Sequence, residues 1–161
     1  MSRVALKREF AQLISELEGA DFRNCIAEKF AVDLTNRPTT ITLRGYSRDK
    51  RDGLIHADSK SKPITVLLYF NPTWTARNGR LRVLNSEHME DCHVEVPPTA
   101  GTRLIFKVTY NCWCGYPSFE GIRRAIQLNY LVSQKAAHHD LLHHRLSAKK
   151  KAIKKVFTID G

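Results

Sequence analysis

Apolar residues first recur at helical spacing. Leu6, Phe10, Leu13, Ile14 and Leu17 follow Ser2, a good helix-capping residue, and Gly19 ends the run. A second short helix is expected from Asp21, burying Phe22, Cys25, Ile26 and Phe30 at intervals of three and four, so Cys25 reads as a small core residue. From Pro38 the period shortens to that of strands. These are expected at Thr39 to Tyr46, Leu54 to Ala57, Ile64 to Phe70, Arg80 to Leu84, His93 to Val96, Thr102 to Val108 and Ile122 to Val132, with turn residues between most of them. Residues 136–157 return to helix, with Leu142, Leu146, Ile153 and Phe157 on one stripe and most lysines opposite. Many short strands with helices only at the ends predict a mostly β protein, an antiparallel double-sheet barrel of the jelly-roll kind.

The pattern divides the chain into a helical support (1–37), a β core (38–133) and a basic amphipathic helix (134–161), all within one domain. A chain of 161 residues suits this, since at that size roughly 70% of the unfolded surface can be buried. No apolar run is long enough for a transmembrane helix and no signal-peptide pattern opens the chain, so the expectation is a cytoplasmic protein with no membrane partner. Of the formal net charge of +10, half falls on residues 131–161, where Lys149-Lys150-Lys151 and Lys154-Lys155 lie. Such a helix can contact an acidic partner, although a charge run is more often a solvated face.

His56-Ala57-Asp58 carries the most chemistry. On an extended strand, residues two apart project from the same side, so this imidazole and carboxylate can grip one metal ion. Two ligands do not complete a metal site, so a third would have to come from elsewhere in the chain. Zinc held by Cys92-His93 and Cys112-x-Cys114 is poorly supported, because neither pair has the spacing of a zinc knuckle. The remaining cysteine reading is of reduced thiols.

Several ordered blocks raise the weight of the histidine-aspartate pair. Arg44-Gly45-Tyr46, Gly53-Leu54-Ile55-His56-Ala57-Asp58, Ile64 to Trp74 and Gly79 to Leu84 resemble the core of the iron(II) and 2-oxoglutarate-dependent oxygenases, in their prolyl 4-hydroxylase-like branch. Val96 to Phe106, Trp113-Cys114-Gly115-Tyr116 and Gly121 to Tyr130 continue the resemblance in family order, over about residues 39–132. It implies a double-stranded β-helix, with iron(II) as metal, 2-oxoglutarate as co-substrate, ascorbate as reductant, and succinate and carbon dioxide released as an unidentified small molecule or protein side chain is hydroxylated. His56 and Asp58 match the first two iron ligands. Arg123 matches the residue that pairs with the far carboxylate of 2-oxoglutarate, a task suited to a guanidinium fork. Arg124 is the alternative, turned the other way by strand alternation. Tyr46 matches a tyrosine lining the co-substrate pocket, and Leu68 falls where some relatives use a tyrosine.

Cys114 departs from the family pattern, which has a histidine there. Three outcomes follow from coordination chemistry. His56, Asp58 and Cys114 can still bind a metal, with the thiolate favouring zinc or altering iron. Metal affinity can instead have collapsed, leaving a catalytically impaired binding module. Or another histidine substitutes, His93 before His88. Trp113, Tyr69 and Phe106 read as core, Cys112 as an inert thiol, and His138, His139, His143 and His144 as a polar helix face on which His139 and His143 are one turn apart.

Overall fold

The computed structural model describes residues 8–45, 55–109, 111–119, 121–143 and 146. Two helices, α1 (Arg8–Glu18) and α2 (Ala20–Phe30), precede eight strands: β1 (Thr39–Arg44), β2 (His56–Ala57), β3 (Ile64–Tyr69), β4 (Leu81–Leu84), β5 (Cys92–Val96), β6 (Arg103–Lys107), β7 (Trp113–Gly115) and β8 (Ala125–Tyr130). A third helix, α3, follows over residues 134–143. The strands form two antiparallel four-stranded sheets, ordered β1-β8-β3-β6 and β2-β7-β4-β5. Among the described residues no strand pairing joins them, so the expected barrel is a pair of separate sheets.

Alternation along the central strands β3 and β8 explains both layers of the core. Ile64, Val66, Ile126, Leu128 and Tyr130 face the helices and pack with Leu17, Ile26 and Leu34. Leu67, Tyr69 and Ala125 point the other way and meet Leu81 and Cys114 of the smaller sheet. The helix-facing side of both strands is apolar, whereas the inner side also carries Thr65, Gln127 and Asn129, and each fully buried Leu or Ile contributes about 1.5–3 kcal/mol. Gly19 separates the two helices in extended backbone, and Ala31 closes α2 in the left-handed conformation, its N–H reaching back to the carbonyls of Ala27 and Glu28.

Two expectations from the helical pattern are corrected. Cys25 is exposed, because the buried stripe of α2 narrows to Ile26 with Phe22 and Phe30 half-buried beside it. On α3 the residues turned inward are Ala137 and Asp140, one turn apart, whereas Leu142 and Leu146 are exposed. A buried aspartate reads as polar, so the apolar pattern selects the wrong face. Ile153, Phe157 and the lysine runs from Lys149 onward lie outside the described residues. No helix among the described residues is long and apolar enough to cross a membrane.

Candidate functional site

Antiparallel pairing of β2 with β7 sets His56 directly opposite Cys114 and Ala57 opposite Trp113. The Cys114 sulfur lies 3.7 Å from Nε2 of His56. Asp58 follows two residues after His56, and its Oδ2 accepts from the Thr65 hydroxyl at 3.3 Å. Burial, reinforced by the charge of Asp58 and by Cys112 and partly offset by Arg123, pushes the Cys114 thiol up to about 12. That thiol therefore keeps its proton at neutral pH, which argues against a cysteine nucleophile, since the thiolate is the reactive form. Cys112 is raised as well, chiefly by burial.

The fit of a metal follows from this geometry. Among the described residues, no group of three or more His, Cys, Asp and Glu side chains stands in an arrangement able to hold a metal ion. His56 and Cys114 adjoin, and Asp58 is near enough to act on Cys114, but the set His56, Asp58 and Cys114 does not fit an iron ion as it stands. His93 offers no replacement. It sits on β5, three strand spacings or about 14 Å from β2 across the sheet. His88 lies in the exposed turn after β4, and His139 and His143 are exposed on α3.

Arg123 presents a different environment. It is only 9% exposed. Its Nη2 donates to the Tyr69 hydroxyl at 2.9 Å, and its guanidinium carbon stands 4.3 Å from the Tyr116 ring centroid and 5.2 Å from that of Tyr69. Its Nε is buried without a hydrogen-bond partner, and among the described residues no carboxylate pairs with it. A buried cation costs several kcal/mol unless an anion answers it, and two aromatic faces and one hydroxyl answer it only in part. These residues fit one end of a dicarboxylate. Arg124 is exposed, so consecutive arginines do separate in and out. The Tyr69 hydroxyl is held above its ordinary range by burial, against the pull of Arg123, and is the neutral acceptor in this pair.

Asn71 holds the arginine in place. Its Nδ2 donates to the Ile122 carbonyl and its Oδ1 accepts from the Arg124 N–H, both at 2.7 Å, so the residues on either side of Arg123 are clamped. Phe70 N–H adds a bond to the Arg124 carbonyl at 3.0 Å. Behind Tyr116, Phe119 and Trp74 continue an aromatic wall with centroid separations of 5.7 and 5.2 Å. Sequence reasoning missed Tyr116 and Asn71 as site residues and assigned Tyr69 to the core alone. The usable signal was register: Tyr69 pairs with Ala125, and Arg123 lies two residues before Ala125, on the same face. Leu68 is turned to the helix side. Tyr46 lies outside the described residues.

Comparison with known proteins bears on the fold. No protein-family model matches the chain, and no curated protein sequence matches it. Among solved structures the chain is similar to a Pseudomonas putida prolyl-4-hydroxylase, with a TM-score of 0.58 and 16% identity over 79% of this chain and 67% of that one. A protein of the Bacillus endospore appendages, which are disulfide-linked pili, aligns at a TM-score of 0.36 and 13% identity, over 60% of this chain and 88% of that one. The second likeness is too weak to use. The first gives the chain a prolyl hydroxylase-like, oxygenase-type fold of mostly β structure.

Proposed function

We propose that this chain is an oxygenase-fold domain that binds 2-oxoglutarate, or a close dicarboxylate, on Arg123, and that Cys114 leaves it impaired for turnover. The observation that carries this is the buried Arg123 guanidinium, whose Nε is unpartnered and which has no carboxylate beside it among the described residues. A dicarboxylate would neutralise that charge in paired, charge-assisted hydrogen bonds, with the Tyr69 hydroxyl beside it and the Tyr116 ring excluding water. The sheet orders β1-β8-β3-β6 and β2-β7-β4-β5, in which successive strands alternate between sheets as far as β4, support a double-stranded β-helix core at 38–133. The helices α1 and α2 precede it and α3 follows it.

A second reading is a working iron(II)- and 2-oxoglutarate-dependent hydroxylase. It is favoured by the cross-strand pairing of His56 with Cys114 and by Asp58 acting on that thiol. Anaerobic calorimetry with 2-oxoglutarate, followed by succinate analysis after adding iron(II), ascorbate and oxygen, separates the two. Binding without succinate is the expected result. Succinate release selects the hydroxylase, and absence of binding removes the Arg123 site.

A further inference from the structure

A buried polar chain crosses the inner face of the larger sheet and is not used by the Arg123 site. Thr40 on β1, Asn129 on β8 and Thr65 on β3 share one register row, at 2%, 0% and 1% exposure. Asp140 of α3 closes its far end. Its Oδ2 accepts from Thr40 Oγ1 at 2.7 Å and from Asn129 Nδ2 at 3.4 Å, while Oδ1 lies 2.9 Å from Lys62 Nζ. At the near end the Thr65 hydroxyl is 3.2 Å from Asn129 Oδ1 and 3.3 Å from Asp58 Oδ2.

One hydroxyl carries one proton, so Thr65 cannot donate to both acceptors at once. Gln127 Nε2 already supplies Asn129 Oδ1 at 3.1 Å. The Thr65 proton is therefore available to Asp58. Lys62 ties Asp140 to Asp58, because it pairs with the Asp140 carboxylate and sits in the turn that carries Asp58, where its N–H bonds the Ser59 carbonyl at 2.9 Å. An apolar row would be the cheaper filling between two sheets, since each buried polar group must be matched and a buried carboxylate must be paired.

We propose that Asp140, acting through its ion pair with Lys62, is a positioning residue for the turn that carries Asp58, while the Thr65 hydroxyl holds the Asp58 carboxylate itself. This goes beyond the Arg123 reading and does not depend on it.

The test uses the full chain with Asp140→Asn, Thr65→Val and Thr65→Ser. Readouts are the carboxyl carbon NMR signal of Asp58, identified by its loss in Asp58→Asn, and amide hydrogen exchange. In Asp140→Asn and Thr65→Val the Asp58 signal moves and exchange over residues 56–63 speeds by about tenfold or more, while β3 and β8 keep their protection. Thr65→Ser, which keeps the hydroxyl, restores the native signal. An unmoved Asp58 signal in Asp140→Asn or in Thr65→Val overturns the proposal, as does exchange rising equally through both sheets or a Thr65→Ser variant no better than Thr65→Val. Should Asp140→Asn fail to fold, Lys62→Met, which removes the same ion pair from its other side, decides by the same Asp58 signal. 2-Oxoglutarate titrated into the native sample reports on Arg123 separately, and its failure to bind leaves the Asp58 result standing.

Discussion

The Cys114 sulfur sits 3.7 Å from His56 Nε2 across an antiparallel pair, which brings together two of the three side chains expected from the sequence to share a site. Both placement and chemistry separate this pair from a metal centre, since among the described residues no third ligand stands in reach with them. The thiol is neutral in its buried surroundings, and a metal must displace its proton before it can bind there.

Cys114→His should therefore raise iron(II) affinity by about tenfold or more, because imidazole is a neutral, borderline ligand that needs no deprotonation at pH 7. Anaerobic iron titration and succinate release, compared with the native chain, check this. If the native chain already turns over and the histidine variant is slower, a thiolate is the working ligand and the impaired-module reading is wrong.

Arg123→Ala should weaken 2-oxoglutarate binding by at least roughly thirtyfold, the lower end of the 2–5 kcal/mol typical for removing one partner of a buried charge pair. Arg124→Ala is the control, since that side chain is exposed. Calorimetry on both variants measures the difference. Equal losses would mean that the carboxylate site lies elsewhere.

The β core was legible because strand alternation and intervening turn residues survive into the structure, with all seven expected strands present at shifted ends and Trp113–Gly115 forming an eighth. The two-residue β2 shows the limit. Pairing with β7 defines it, and local pattern alone took in Ile55, which lies outside the strand. The inward turn of Arg123 against the outward turn of Arg124 was legible from strand alternation, but its contacts were not. The Tyr69 hydroxyl reaches it only because β3 and β8 pair in one register, a relation between segments more than fifty residues apart. Asp140 was invisible for a related reason, since its partners come from β1, β8 and the turn before β3.

Alkaline pH should destabilise the fold in a window set by Cys114. Its folded-state value of about 12 exceeds its ordinary value of 9.0, so the folded chain keeps a proton that the unfolded chain releases. The stabilisation is complete below pH 9 and declines as pH rises towards 12, by at most about 1.4 kcal/mol per pH unit from this group. Urea unfolding at pH 8, 9.5 and 11 should show that slope, and Cys114→Ala should flatten it even if its baseline is lower. Tyr69 and Cys112, shifted in the same direction, leave a residual slope.

Gly79 adopts φ +88°, and a Cβ there would come within 2.7 Å of the Phe119 and Trp74 rings. Gly79→Ala should cost about 1–3 kcal/mol through overpacking, with the left-handed backbone adding to it. Chemical denaturation gives the loss, and a change in tryptophan fluorescence places it at Trp74. An unchanged midpoint would show that the aromatic wall yields freely.

Asn71→Ala tests whether Arg123 is held in place or merely buried. The substitution leaves the Ile122 carbonyl and the Arg124 N–H without their 2.7 Å partners, at a cost of about 1–3 kcal/mol for each group that water cannot reach. Stability should fall, and 2-oxoglutarate affinity should fall with it although Asn71 bonds only the backbone on either side of the arginine. Calorimetry well below the unfolding transition separates the two effects. Affinity held at the native level in a folded Asn71→Ala protein would show that Tyr69 and Tyr116 fix the guanidinium without the clamp.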